Sequence, residues 1–365
     1  MNGIHRVKTK WLAAAVVAIL SVPWGAAAAQ PASPEKQGGS FQYRQLYAGI
    51  DYQNKTTCVI GPEDQSMDSV AASIGYAYLK TKLGMFSEPR ISSPLNRDMA
   101  FVLNYFHVPE PPILKDAAGQ QIILVDHASL DQAVANMKKA RIVEVLDTHK
   151  AGGLVTEGPI FYRAVPAAAT SSLVCLSFQE NQVDIPSSIA GLLLAGIVSD
   201  TGNMTSGTVT PLDRQAYHVL LSQSGVSDIQ SFYKKLEKAA YTHADMTDEQ
   251  IFQSDLKEYV VKDWAYSIGQ VDCLDSSEYQ AVRQRMQSYL SKLPNKDRGV
   301  LHYLIIRNRG TGEAELLYAG TMAQEIAGKA FGFTDGHRVL LKAEADRSRL
   351  VEPAIRTELE RVMQY

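Results

Sequence analysis

Short apolar runs rich in β-branched residues alternate with longer segments of helical periodicity in the first half of the chain. Directly after the runs KTTCVI, QQIILV and RIVEVL come Gly61, Asp126 and Asp147, respectively. The segments DSVAASIGYAYLKTKLG and LDQAVANMKKA, which lie between these runs, carry apolar residues at helical spacing. A repeated order of strand and helix with short loops predicts an α/β fold with a parallel sheet flanked by helices on both faces.

The later part of the chain predicts a second, smaller α/β domain. IPSSIAGLLLAGIVSDTG is apolar throughout, which predicts a buried helix that ends near Asp200 and Gly202. The polar stretch YTHADMTDEQ interrupts the pattern and suggests a domain boundary, giving domains over 41–242 and 243–365. Beyond it, EYVVKDWAYSIGQVD, VLHYLIIRNR and AELLYAG read as strands, with a helix in SEYQAVRQRMQSYLSKL and another at the end.

Residues 1–29 have the pattern of a secretory signal peptide. Arg6, Lys8 and Lys10 precede the apolar core WLAAAVVAILSV, and small residues allow cleavage after Ala29. That core is short for a membrane span, which needs about 20 residues, so no stable insertion is expected after cleavage. An uncleaved anchor remains the alternative. Residues 30–40 predict a disordered linker, and the leader predicts an exported, periplasmic or secreted protein.

Charge and cysteine content exclude several classes of protein. Cleavage of the leader removes three basic residues and no acidic one, which leaves 33 Lys and Arg against 39 Asp and Glu. An acidic balance without a basic stripe argues against a nucleic-acid partner. Cys58, Cys175 and Cys273 are too far apart for a zinc motif or a disulfide framework, so we expect buried thiols.

Acidic residues follow the predicted strands, where a parallel sheet gathers its ligands. Asp68, Asp126 and Asp147 lie just beyond strands, and Asp200 ends the buried helix. Carboxylates that converge repel one another unless a hard cation such as Mg²⁺ or Mn²⁺ binds between them. Each residue alone has an ordinary explanation: a helix N-cap for Asp68, a turn or cap for Asp126 and Asp147, and a structural role for His149.

The order of these motifs resembles the family II inorganic pyrophosphatases, which belong to the DHH phosphoesterase superfamily and carry a C-terminal DHHA2 domain. VIGPEDQSMDS is similar to the motif G-H-x-N-P-D-x-D-S, IILVDH to the second motif, and EVLDTHK to the motif D-H-H. GPIFYRAVPAAATSSLV and LLLAGIVSDTG are similar to the segments that follow, and SDLKEY and DRSRLVEP to phosphate-binding segments of the second domain. The resemblance extends from about Thr57 to Pro353.

The resemblance implies a set of metal ligands. Asp68, Asp126 and Asp200 match ligand positions for divalent cations, and the family's counterpart of Asp126 bridges two of them. Two or three Mn²⁺ or Mg²⁺ ions in this family activate a hydroxide that attacks one phosphorus of pyrophosphate.

The resemblance also implies how the substrate is held. His149 matches the second His of D-H-H, which faces the phosphate as an acid or electrostatic group. Lys257 and Arg347 match the phosphate-binding Lys and Arg of the second domain. The expected partner is therefore a small phosphorylated anion, and a homodimer is left open.

Four positions depart from the family pattern. Pro62 and Thr148 replace metal-binding His residues, Ser66 replaces an Asp, and Ser348 replaces a Lys for which Arg349 is a nearby substitute. Fewer cations than are typical of the family are therefore expected, and the remaining oxygen ligands suit Mg²⁺ or Ca²⁺ better than a metal that prefers nitrogen. Glu63 and Asp64 read either as substitute ligands or as solvated turn residues.

Three functions follow from these observations. The first is a metal-dependent phosphohydrolase that acts on pyrophosphate or a related phosphoanhydride at an altered site. The alternative is a catalytically inactive exported homologue that binds a phosphate-like anion. A nuclease or cyclic-dinucleotide phosphodiesterase is disfavoured, because FTDGHRV is a poor match to the glycine-rich motif of those branches.

Overall fold

A computed structural model describes residues 43–150, 152–262, 264–293, 300–332, 338–342 and 345–362. The predicted signal peptide at 1–29 and linker at 30–40 lie outside these residues. Within the described ranges, no helix has the length and apolar character needed to cross a membrane. Cys58, Cys175 and Cys273 are buried free thiols, as expected.

The chain divides into two compact units. Among the described residues, the N-terminal unit comprises those up to Leu95 together with Leu103–Val226, and the C-terminal unit comprises Asn96–Val102 and those from Ser227 onward. The helix Ile229–Tyr241, which precedes the polar stretch, belongs to the C-terminal unit, and its residues Phe232 and Leu236 are buried.

The N-terminal unit is built on a parallel sheet of five strands in the order β2-β1-β3-β4-β5. Its elements, with α2 shared between the two units, are β1 (Thr57–Ile60), α1 (Met67–Lys82), β2 (Ser87–Arg90), α2 (Arg97–Tyr105), β3 (Gln121–Val125), β4 (Arg141–Asp147), β5 (Phe161–Ala164), α3 (Thr170–Glu180), α4 (Ser187–Asp200) and α5 (Pro211–Ser224). The α/β fold class, the three strands read from the sequence and the buried helix α4 are confirmed.

The two faces of this sheet are covered differently. Helices α1 and α3 pack on one face. On the other face, Ile122 and Leu124 of β3 pack against Val134 and Met137. We expected a helix in LDQAVANMKKA, and this prediction is wrong: the segment forms only two short 3₁₀ turns, Leu130–Gln132 and Met137–Lys139. Asn136 between them has a left-handed backbone with φ +59°, which a continuous α-helix does not allow.

The C-terminal unit holds a mixed five-stranded sheet in the order β10-β9-β8-β7-β6, in which β7 and β8 are parallel and the other pairings antiparallel. Its elements are α6 (Ile229–Tyr241), α7 (Asp248–Gln253), β6 (Leu256–Val261), β7 (Trp264–Cys273), α8 (Ser276–Ser291), β8 (Val300–Asn308), β9 (Ala314–Ala319), α9 (Thr321–Phe331), β10 (Arg338–Leu341), a π-helical turn (Arg347–Val351) and α10 (Glu352–Val362). One face packs on α9 and α10 and the other on α8. The predicted smaller α/β domain is therefore present.

Candidate active site

Polar side chains from four segments meet at the carboxyl end of the N-terminal sheet. Asp126 directly follows β3 and Asp147 is the last residue of β4, while Asp68 and Thr170 come from the first turns of α1 and α3. Parallel strands all end at one edge of the sheet, so residues distant in sequence become neighbours there.

Asp68 is fully buried, and its carboxylate binds the beginning of another helix. The carboxylate accepts hydrogen bonds from the backbone N–H groups of Thr170, at 2.6 Å, and Ser171, at 2.9 Å. The N-cap of α1 itself is Ser66, which forms a capping box with Ser69. Asp68 is therefore not the N-cap of its own helix; it satisfies unpaired amides of α3 instead.

Asp126 lies at the centre of the polar cluster. Its backbone is left-handed with φ +64°, and its N–H donates to the Leu146 carbonyl. The Thr170 hydroxyl donates to Asp126 Oδ1 over 2.7 Å, and the Ser66 hydroxyl donates to Oδ2 over 3.5 Å. Because Thr170 donates its proton to Asp126, its oxygen accepts from Thr148 Oγ1 at 3.3 Å. The carboxylate of Asp126 is thus held by hydroxyl groups from two helices.

The side chains of Asp147 and His149 form a pair beside this carboxylate. Asp147 Oδ1 accepts from the backbone N–H groups of Thr148 and His149 and lies 2.9 Å from His149 Nδ1. His149 Nδ1 also lies 3.8 Å from Asp126 Oδ1. The hydrogen bond to Asp147, opposed by partial burial, raises the pKa of His149 to about 9, so the imidazole is charged at neutral pH.

The remaining carboxylates bind protons more tightly than ordinary ones. Burial raises the pKa of Asp68, and burial together with the negative charge of Asp68 raises the pKa of Asp126 to about 7. Asp200, at the end of α4, reaches solvent; desolvation by the surrounding protein and the charges of Asp68 and Asp126 raise its pKa to about 9. The charges of Asp68, Asp126, Asp200 and His149 therefore act on one another, and the assignment of the three carboxylates as metal ligands stays a prediction.

The donor set fits a hard divalent cation. Asp126 and Asp147 offer carboxylate oxygens that lie within 4.8 Å of each other and of a ring nitrogen of His149. Among the described residues, Asp147 Oδ2 is buried and has no hydrogen-bond partner. Carboxylates with raised pKa values and an unsatisfied buried oxygen are the groups that a cation such as Mg²⁺ or Mn²⁺ stabilises.

Two members of this cluster were not among the predicted site residues. Asp147 was recognised as an acid at a strand end but was not placed in the ligand set, although it orients His149. Thr170 was missed. The available signal was its position in AAATSS, at the start of an apolar-periodic segment that follows the D-H-H-like motif.

The loop between β1 and α1 is joined to residues 92–94 by hydrogen bonds. The Gln65 amide donates to the carbonyls of Ser93 and Pro94, and its oxygen accepts from the Ser92 N–H. Glu63 and Asp64 are exposed in this loop, and the Glu63 N–H donates to the Gln132 carbonyl. Both acids therefore occupy a solvated turn rather than the carboxylate cluster.

The predicted phosphate-binding residues belong to the C-terminal unit. Lys257 is an exposed residue of β6, opposite Ile268 of β7. Arg347 is almost entirely buried, with its guanidinium bonded to Asp255. Arg349 is exposed and lies two residues further along a helical turn, about half a turn away from Arg347.

Family models match both units of the chain. The DHH family N-terminal domain matches residues 56–197, and the DHHA2 domain matches residues 234–358. The fold and the carboxylate site thus define a DHH protein with a C-terminal DHHA2 domain.

Three similar proteins are named as inorganic pyrophosphatases. A manganese-dependent inorganic pyrophosphatase from Methanothrix thermoacetophila is 32% identical over 276 residues, which cover 75% of this chain and 88% of that protein. A probable manganese-dependent inorganic pyrophosphatase from Brevibacillus brevis is 29% identical over 81% of this chain and 96% of its own length. The crystal structure of a putative family II inorganic pyrophosphatase from Methanococcus jannaschii matches with TM-score 0.62 and 29% identity, covering 83% of this chain and 99% of that one. The chain belongs to the family II, manganese-dependent inorganic pyrophosphatases, which confirms the resemblance seen in its motifs.

Proposed function

We propose that this protein hydrolyses pyrophosphate, or a closely related phosphoanhydride, with the help of a divalent cation. The observation that carries the proposal is the meeting of the Asp126 and Asp147 carboxylates, whose oxygens lie within 4.8 Å of each other, in a region where the charge of Asp68 raises the pKa of Asp126 and the charges of Asp68 and Asp126 raise that of Asp200. Asp126 and Asp147 would hold the cation, and Asp68 and Asp200 would add negative charge or further oxygens. When bound, the cation supplies positive charge and lowers the pKa of nearby water, which makes a hydroxide nucleophile accessible near neutral pH.

The chain's own residues would orient and neutralise the substrate. Because Asp147 engages Nδ1 of His149, the Nε2–H edge is the one left to donate a proton to a phosphoryl oxygen. The raised pKa of His149 keeps that proton available at neutral pH. Lys257 and Arg347 would add positive charge against the phosphate oxygens, and Arg349 is a third candidate for this role.

The proposal is tested by phosphate release from pyrophosphate in Mn²⁺ or Mg²⁺. We expect Asp126→Asn to lower kcat/KM by at least about 100-fold, because loss of a carboxylate at the cation removes several kcal/mol of transition-state stabilisation. The exposed Asp184→Asn provides a control with the same change in charge and should match the wild type. Equal and negligible rates in wild type and Asp126→Asn, with phosphate binding retained, would establish the alternative of an inactive anion-binding homologue.

We also propose that the site binds fewer cations than is typical of the family. Pro62 has no donor atom, the Ser66 hydroxyl is used as the N-cap of α1, and the Gln65 amide fixes the loop to 92–94. These contacts replace the ligands that a His and an Asp would supply at the first cation position.

Restoring those ligands should increase the number of bound ions. We expect Pro62→His combined with Ser66→Asp to bind one more Mn²⁺ per chain than the wild type, measured by calorimetry and by metal analysis after desalting. Glu63→His adds an imidazole to the same loop at an exposed position and should leave the stoichiometry unchanged. An unchanged Mn²⁺ count in the double variant would contradict the reduced metal complement.

We further propose that the protein is exported. The support is the N-terminal sequence, in which three basic residues, a short apolar core and small residues precede Gln30. N-terminal sequencing of the protein recovered from the periplasm or the medium should begin at Gln30. A full-length chain confined to the cytoplasm would rule this out.

A further inference from the structure

The Arg347 side chain is held by Asp255 in two ways. Its Nη1 donates to the Asp255 backbone carbonyl over 2.6 Å, and its Nη2 donates to Asp255 Oδ1 over 2.7 Å. Nη1 also lies 3.4 Å from the Ile268 carbonyl. Only 7% of the Arg347 side chain is exposed, whereas 43% of the Asp255 side chain is. The pair thus lies at the boundary between the interior of the C-terminal unit and solvent.

This arrangement limits how Arg347 can bind an anion. Phosphate recognition by arginine uses two parallel N–H groups of the planar guanidinium. Here Nε is buried and has no hydrogen-bond partner among the described residues, while both terminal nitrogens already donate to Asp255. A phosphate oxygen that approaches Arg347 from solvent therefore finds its guanidinium already bound by the carboxylate of Asp255.

Asp255 is also linked to the other predicted phosphate ligand. Asp255 directly precedes strand β6, and Lys257 is the second residue of that strand. The charges of Arg347, Lys257 and Asp255 all act on Tyr259, which places the three side chains in one neighbourhood.

We propose that Asp255 is a positioning residue that acts as a latch on Arg347 and competes with the phosphate of the substrate for its guanidinium. The inference rests on the proposed function, since it takes Arg347 as a phosphate ligand. The carboxylate keeps the guanidinium ordered and neutralised before substrate arrives. Substrate binding exchanges the Arg347–Asp255 hydrogen bonds for Arg347–phosphate bonds and thereby releases Asp255 to solvent.

The test is the affinity of the mature protein for pyrophosphate, measured by calorimetry in Mg²⁺ with methylenediphosphonate, whose P–C–P bridge is not hydrolysed, in place of pyrophosphate itself. Asp255→Asn keeps an acceptor oxygen but removes the charge, so the competition weakens and the dissociation constant should fall about tenfold. Asp255→Glu keeps the charge and should stay near the wild type. Asp248→Asn removes a carboxylate from a comparable ion pair with Arg285 in the same unit and should have no effect.

A purely structural role for Asp255 predicts the opposite change in pyrophosphate affinity. Loss of support for Arg347 would weaken pyrophosphate binding, so an equal or larger dissociation constant in Asp255→Asn overturns the latch. The gain in affinity should also vanish when Asp255→Asn is combined with Arg347→Met; a gain that persists would place the effect on another residue. If Asp255→Asn does not fold, Asp255→Ser repeats the measurement with a smaller neutral side chain.

Failure of the latch and failure of the proposed function give different results. A wild type that binds pyrophosphate and releases phosphate, with Asp255→Asn unchanged, overturns the latch alone. Absence of pyrophosphate binding in both wild type and Asp255→Asn overturns both.

Discussion

At the scale of single residues, Gly196 allows the candidate cation site to form. Glycine inside a helix costs about 0.5–1 kcal/mol relative to alanine, so its presence in α4 calls for a compensating contact. A Cβ atom at Gly196 would lie 2.5 Å from Ser171 Oγ and 2.7 Å from Asp68 Oδ1. Only a residue without a side chain lets α4 approach the carboxylate of Asp68 and the start of α3 so closely.

We expect Gly196→Ala to destabilise the protein by about 1–3 kcal/mol, because the new methyl group forces apart side chains that are otherwise fully packed. Displacement of Asp68 should also weaken Mn²⁺ binding. Gly207→Ala is the matched control, since nothing lies within 4 Å of a Cβ built at that position. Urea unfolding and Mn²⁺ titration measure the two effects; equal unfolding free energies for the two variants would show that α4 has room for a side chain.

At the scale of elements, two carboxylates from different helices fix the start of α3. Asp68 of α1 binds the N–H groups of Thr170 and Ser171. Asp213 of α5 accepts from the N–H groups of Ala168, at 3.0 Å, and Ala169, at 3.3 Å. Burial opposes the charge of Asp213, but these and further hydrogen bonds outweigh it and lower its pKa. The start of α3 is therefore held rigidly, which places the Thr170 hydroxyl on Asp126.

The elements also show what the sequence could predict. The strands that end at Asp126 and Asp147 and the helix α4 are continuous buried runs. Their uninterrupted apolar residues therefore predicted these elements from the sequence. The segment 130–140 has the same apolar spacing as a helix, but its buried residues Ala133, Val134 and Met137 lie in irregular backbone and a 3₁₀ turn, and spacing alone does not distinguish these from a helix. The bonds of Thr170 to Asp126 and of Arg347 to Asp255 join residues 44 and 92 positions apart, and such pairings leave no local signal.

At the scale of the whole molecule, a segment that precedes the matched DHH domain covers the end of the N-terminal sheet opposite the candidate site. The domain match begins at residue 56, yet residues 43–52 are ordered against the sheet. The Tyr52 carbonyl accepts from Gln121 Nε2 at 3.0 Å, and the ring of Tyr47 packs 4.9 Å from that of Phe161. Gln121 and Phe161 are the first residues of β3 and β5, so this segment covers the amino ends of the strands.

This segment covers a buried ion pair between a helix and the central part of the sheet. Lys80 of α1 and Glu144 of β4 are fully buried, with Nζ and Oε1 2.5 Å apart. The ammonium group lies 3.5 Å above the ring of Tyr47, and the Tyr52 hydroxyl donates to Glu144. A buried pair is tolerated only where its partners stay satisfied and water stays excluded.

We therefore expect a chain that begins at residue 56 to be less stable than one that begins at residue 43. Loss of Tyr47 alone removes a buried aromatic contact worth about 1.5–3 kcal/mol, and solvation of Lys80 and Glu144 loosens the helix against the sheet. The chain that begins at residue 43 keeps these contacts, so its urea unfolding midpoint should equal that of the mature protein.

Because the segment and the carboxylate cluster lie at opposite ends of the strands, the shorter chain should still bind Mn²⁺ in the absence of denaturant. Urea unfolding of both chains, with Mn²⁺ titration of each, decides the point. Equal unfolding midpoints would mean that the helix and sheet hold the ion pair without the segment.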